Sequence, residues 1–148
     1  MFNPVYVSNN FLARSFQEKT PITSMKIQKM LYFLHRDYLK ETGLPLFAER
    51  FLTWKYGPVL ESVYYTYKKF GSRGITTYGG MPAYSVNEDL DLVLKNHIED
   101  VWQKCLPHNG IYLSKLTHMP ESAWYKAWVK HYPFLLDEDI KNDSIELS

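Results

Sequence analysis

From Ser24 to Thr42 the chain carries neither Gly nor Pro, with Thr23 ahead of it as a good N-cap and Gly43 behind it as a stop. That pattern predicts one long helix over about residues 24–41. Wound at about 100° per residue from Lys26, the residues Met30, Leu34, Ile27, Tyr38 and Leu31 fall between about 40° and 140°, a stripe that must face a core. Lys26, Lys29, Arg36 and Lys40 fall between about 280° and 360°, and Phe33, at about 340°, stands among them. Tyr32 and Leu39 widen the apolar arc to more than half the girth. A helix so greasy packs against several neighbours at once, so this is the expected central helix of a mostly α domain.

The rest of the chain offers those neighbours. Asn3-Pro4 reads as an N-cap followed by Pro at the first helical position, opening a helix to about Lys19 with Val5, Leu12 and Phe16 on its apolar face. Arg50 to Lys55 is rich in strand formers, and Ile75 to Tyr78 is its expected partner in a minor two-stranded β element. Tyr56-Gly57-Pro58 is a sharp turn, with Pro58 near the start of a third helix that Gly71 ends. On that helix Val59, Leu60, Val63, Tyr64, Tyr67 and Phe70 share one face; Glu61, Lys68 and Lys69 lie opposite, with Tyr65 beside Lys69. Asn87 reads as the N-cap of a fourth helix running to about Cys105, with Leu90, Leu94, Ile98, Val101 and Trp102 inward. Two short helices follow, around Leu113 and Leu116 and around Trp124 and Trp128. Asp137 is placed to cap a last turn, and a weakly structured acidic tail is expected from about 141. The short connections argue for a single compact domain over 1–148.

Bulk composition narrows function by exclusion. A formal charge of +1 over 148 residues does not suit a dedicated nucleic-acid binder. The single cysteine, Cys105, cannot form an internal disulfide, and Met1-Phe2-Asn3-Pro4 lacks the basic start and apolar run of a signal peptide, so a cytoplasmic location is expected. No apolar run approaches the ~18 residues that span a bilayer. Aromatics make up 16% of the chain, which points to an aromatic-rich core and interface and leaves room for homo-oligomers.

Chemistry is sparse. His35, His97, Cys105, His108, His118 and His131 show neither zinc-ligand spacing nor an HExxH pair, so no metal is expected. Phosphate-binding glycine loops are absent, and so is any cofactor signature. Cys105, on an apolar helical face, reads as a packed thiol. No catalytic set is assembled by spacing, and a non-enzymatic role is expected. Two features remain. The basic stripe with Phe33 inside it is either a solvated face, Phe33 being covered by another segment, or a partner-binding surface made of Lys29, Phe33, Arg36 and Lys40 with Tyr65 and Lys69. The set Trp54-x-Tyr56-Gly57-Pro58 with Leu113-Ser114-x-Leu116-Thr117-His118 and Trp124 reads as a turn against an aromatic packing site, His118 being a hydrogen-bonded residue at a helix end. The rival for His118 is a small hydrolase or nucleotide-processing enzyme pairing it with a carboxylate. A nucleic-acid-binding regulator is the third option.

Read together, these stretches resemble the Panacea domain, the family of SocA-like antitoxins also known as phage-associated proteins. The residues that carry the resemblance are Ile22-Thr23-x-Met25-Lys26-Ile27-Gln28-Lys29-Met30-Leu31-Tyr32-Phe33, then Trp54-Lys55-Tyr56-Gly57-Pro58-Val59, then Leu113-Ser114-x-Leu116-Thr117-His118, then Trp124 and Ala127. The match in order and spacing covers about residues 5–142. The chain departs at Ser24 and at Ser122-Ala123, where relatives often carry Pro. The resemblance implies an antitoxin that neutralises a cognate protein toxin by direct binding. It extends to families of toxins as different as translation blockers and a replication-clamp inhibitor, and to one adaptor that delivers its toxin to the ClpXP protease. It implies neither DNA binding nor catalysis.

Overall fold

The computed structural model describes residues 1–148, and its first helix, α1 (Pro4–Glu18), starts where the sequence places it. The Asn3 side chain accepts from Val5 N–H at 2.9 Å and from Tyr6 N–H, and Pro4 sits at the first helical position, where a missing N–H costs nothing. Lys19 closes the helix in the left-handed region at φ 54°. The central helix, α2 (Ser24–Thr42), is capped by the Thr23 hydroxyl on Lys26 N–H and ended by Gly43 at φ 75°. A cap of this kind is worth about 1 kcal/mol.

Five more helices and one hairpin surround α2: α3 (Glu61–Tyr67), α4 (Leu92–Cys105), α5 (Gly110–Thr117), α6 (Ala123–Val129) and α7 (Asp137–Lys141). The hairpin joins β1 (Leu52–Trp54) to β2 (Gly57–Val59), antiparallel, with Leu52 opposite Val59 and Trp54 opposite Gly57. Every residue from Lys26 to Arg36 is buried, because α1, α3, α4, α5, α7 and β2 all pack on α2. Gly110 lets α5 approach α2 closely: a Cβ there would stand 2.9 Å from the Lys26 backbone nitrogen. No helix is long and apolar enough to cross a membrane.

Several boundaries differ from the sequence reading, each for a local reason. The partner of the Leu52–Trp54 strand is Gly57–Val59 rather than residues 75–78, since a two-residue turn at Lys55-Tyr56 closes the ladder at once. Pro58 therefore lies in an edge strand, where its missing N–H faces away from the pair, and α3 starts only at Glu61. Ile75 instead donates to Ile22 O at 2.8 Å, stitching the long loop to the start of α2. Asn87 caps a short 3₁₀ turn, Glu88–Leu90, and Asp91 caps α4, which leaves Leu90 84% exposed rather than in the core. Asp137 is the first residue of α7 and not its cap.

The C-terminal tail departs most. It has no regular structure, yet Asp143, Ile145 and Leu147 are buried. The Asp143 carboxylate accepts from Tyr32 O–H on α2, from Ala123 N–H at 3.2 Å and from Ile145 N–H at 3.0 Å, and Arg36 lies 3.7 Å away. Arg36 also donates to the Ile145 carbonyl. The tail is thus strapped along α2, and its acidic residue is an internal partner.

Candidate functional site

The same strap explains why the anticipated basic-aromatic face does not form on α2. Phe33 is fully buried, with the Arg36 guanidinium 4.8 Å above its ring and the tail beyond, and Lys29 and Arg36 are buried with it. Of the proposed contact residues, Lys40, Tyr65 and Lys69 reach the surface. Tyr65 is neighboured by Lys68, whose ammonium lies 5.7 Å over its ring, while Lys69 turns to Phe70. Phe33 is covered by another segment of the same chain, as the first of the two readings had it, but Lys26, Lys29 and Arg36 are buried with it instead of forming a solvated face.

The polar residues of α2 turn inward because they have backbone groups to satisfy. In the turn Trp54-Lys55-Tyr56-Gly57-Pro58, side chains from three helices take the carbonyls of Trp54, Lys55, Tyr56 and Pro58 in order. Trp124 Nε1 donates to Trp54 O at 2.7 Å, and His118 Nε2 lies 2.7 Å from Lys55 O. Ser114 Oγ donates to Tyr56 O at 2.5 Å, and Lys29 Nζ donates to Pro58 O at 3.1 Å. Gln28 closes the series with a two-way clamp: its Nε2 donates to Leu60 O and its Oε1 accepts from Leu60 N–H, both at 2.9 Å. Each such bond is worth about 1 kcal/mol net, and more would be lost by leaving a buried partner bare.

Gly57 is the pivot of this arrangement. Its φ of 114° is closed to most side chains, and a Cβ there would stand 2.7 Å from Thr117 Oγ1 and 3.1 Å from Lys29 Nζ. Lys29 carries no ion pair, and burial lowers its ammonium from the ordinary 10.5 to about 7. His118 is spent on structure: its Nδ1 faces Ser114 O at 2.5 Å while Nε2 faces Lys55 O, and its ring lies 4.0 Å from Trp124. Both ring nitrogens face backbone carbonyls, and no carboxylate touches the ring. Cys105 is a buried thiol that desolvation pushes up to about 12, so the thiolate is not on hand at neutral pH. No three His, Cys, Asp or Glu side chains converge as metal ligands would.

What the buried clamp presents outward is the tip of the turn. Tyr56 is 60% exposed and Lys55 is exposed beside it, its ammonium 5.5 Å over the Tyr56 ring. Across from them α5 offers Ile111 and Lys115, the segment just after it offers Met119, and α2 offers Met25 at its first turn. Together these line an open groove of about 720 Å³ floored by Ser114 and His118. Ile111 and Lys115 escape the sequence reading because they sit off the buried face of a short helix, and Met119 because it lies just past its end, where an apolar residue carries no periodic signal. Only their distance from the core stripe marks them.

The sequence match follows this framework. Residues 27–125 match the family model described as antitoxin SocA-like, Panacea domain, a span that runs from the apolar stripe of α2 through the hairpin and α5 into α6. The chain belongs to the SocA-like Panacea-domain family. It is also similar to Antitoxin SocA of Caulobacter vibrioides (strain NA1000 / CB15N), 36% identical over 69 residues. That alignment covers 47% of this chain, and the chain spans only 37% of the relative's length. No solved structure matches the chain. In this Panacea domain the signature positions Gln28, Lys29, Ser114, His118 and Trp124 hold the backbone of the hairpin, Gly57 makes room for them, and Tyr32 secures the tail. Leu31 and Pro58 are buried, and Leu116 packs partly against the core.

Proposed function

We propose that this chain is an antitoxin that neutralises a cognate protein toxin by direct binding. The observation that carries the reading is membership of the SocA-like antitoxin family across residues 27–125. Lys29 and His118 support it, since their side chains face backbone carbonyls and neighbouring packing instead of a reacting centre. A protein that acts by binding needs a rigid, exposed surface, and the clamped turn with its protruding Lys55 and Tyr56 supplies one. Lys40, Tyr65 and Lys69 remain candidate contacts elsewhere on that surface.

Co-expression tests the reading. The product of the neighbouring gene should arrest growth alone and be harmless beside this protein, and the two should co-purify. A neighbour that is harmless alone, or a rescue without complex formation, refutes neutralisation by binding. Following the toxin's half-life in cells with and without a ClpXP-type protease separates inhibition from delivery. A stable, inert complex means inhibition, and protease-dependent loss of the toxin means the chain acts as an adaptor.

A further inference from the structure

We propose that the groove between the hairpin tip and α5 receives an acidic, apolar segment of a protein partner. This rests on the reading of direct protein binding and assigns the surface and the partner's chemistry. Apolar contact comes from four residues. Ile111 is 62% exposed and Met119 45%, Tyr56 stands over one wall, and Met25 closes the far end. Exposed apolar side chains gathered in one concavity differ from scattered ones, which carry no meaning. Methionines at two corners let the walls adapt to branched side chains.

Charge selects the partner. Lys55 and Lys115 flank the groove, both exposed, and neither is in an ion pair. No carboxylate is among the eight lining residues. Where cations such as Arg14 and Lys95 have carboxylates within reach they pair with them, as with Glu18 and Glu99 or with Asp89; the groove offers its two lysines none. Two free ammonium groups beside apolar walls complement a segment that alternates Leu-like residues with Asp or Glu. A phosphate backbone would satisfy the lysines but would leave Ile111 and Met119 facing its hydrated edge.

The buried architecture accounts for why these residues stand ready. Lys29, Gln28, Ser114, His118 and Trp124 all hold the backbone of residues 54–60, and Lys55 and Tyr56 are the two residues of that turn whose side chains project into solvent. A turn fixed this firmly meets a partner without a further ordering cost. Placing a lysine without a counter-ion in the core to hold it is an expensive choice for folding alone.

The test uses the full chain and a fluorescein-labelled peptide of repeated Glu-Leu-Leu-Glu, with Lys-Leu-Leu-Lys and oligo-dT as comparisons. Binding of the acidic peptide is expected, with at least about tenfold loss in K55E/K115E and in Ile111→Asp, and K55E/K115E should favour the basic peptide. All three substituted positions are exposed, so thermal melts should match the parent. Equal binding of both peptides, or acidic-peptide binding unchanged by the variants, overturns the proposal. Oligo-dT bound more tightly with the same lysine dependence also overturns it, since the occupant is then nucleic acid. Growth rescue of the neighbouring toxin is measured in parallel. Peptide binding without rescue by the parent protein keeps the groove and sinks the antitoxin reading; rescue that survives both variants keeps the antitoxin reading and sinks the groove.

Discussion

Substituting Lys29 by Met should stabilise this protein against pH in a way that no surface lysine would. The native ammonium is buried with one carbonyl partner and titrates near 7, against 10.5 as its ordinary value. In the unfolded chain it holds its proton to pH ~10, so between the two values the unfolded state binds more protons and stability rises with pH. Taking the two pKa values, the cost of burying Lys29 relative to a neutral side chain is about 4 kcal/mol at pH 7 and about 2 kcal/mol at pH 9. The parent should therefore gain about 2 kcal/mol across that window relative to Lys29→Met. The variant forfeits the bond to Pro58 O, about 1–3 kcal/mol, which shifts its curve without changing its slope. Cys105, Tyr32 and Tyr67 act in the opposite sense at the top of the range, because their raised pKa values keep native protons that the unfolded chain releases. They are common to both proteins and cancel in the difference. Urea unfolding of the two proteins at pH 7, 8 and 9 reads the effect directly. Parallel stability curves would refute the reasoning, since they would mean that Lys29 keeps its proton in the fold as readily as out of it.

Two further outcomes follow from the same geometry. Gly57→Ala places a Cβ 2.7 Å from Thr117 Oγ1 at a φ of 114° and should cost about 2–4 kcal/mol, lowering the melting temperature by roughly 6–12 °C; an unchanged melt would show that the turn is free to move. Asp143→Ala strips partners from Tyr32 O–H and Ala123 N–H and removes one of the two carboxylates beside Arg36, Asp37 remaining at 3.0 Å, for a loss of about 3 kcal/mol. Limited proteolysis should then cut after Lys141 far faster than in the parent, and equal cutting rates would show that the tail is not held by this residue.

How much of this was legible in advance depended on the kind of signal each residue carries. Helix α2 was readable because its cap, stop and apolar period are local, and local features survive any tertiary arrangement. The start of α1 was readable for the same reason at Asn3-Pro4. The hairpin was half readable: Leu52 to Trp54 has strand formers, but its partner was misassigned because Gly57-Pro58 carries little strand propensity. Cross-strand pairing there is decided by the two-residue turn and by side chains arriving from α2, α5 and α6.

The sequence by itself determined a mostly α chain wound on one central helix, the family to which it belongs, and the residues that mark that family. Tertiary structure alone decided what those residues do. A helical wheel treats Lys29 and Arg36 as part of a solvated stripe because charge defaults to water. The fold instead supplies the Pro58 carbonyl of the hairpin, the Ile145 carbonyl of the tail and the carboxylates of Asp37 and Asp143 as partners, which offset part of the desolvation and draw these two side chains inside. The acidic tail misled for the complementary reason, since a lone carboxylate in a polar run looks solvated until an arginine and a tyrosine are folded around it. With the stripe interior, the surface passes to the residues it supports: Lys55 and Tyr56 at the tip of a turn, and Ile111, Lys115 and Met119 across the groove.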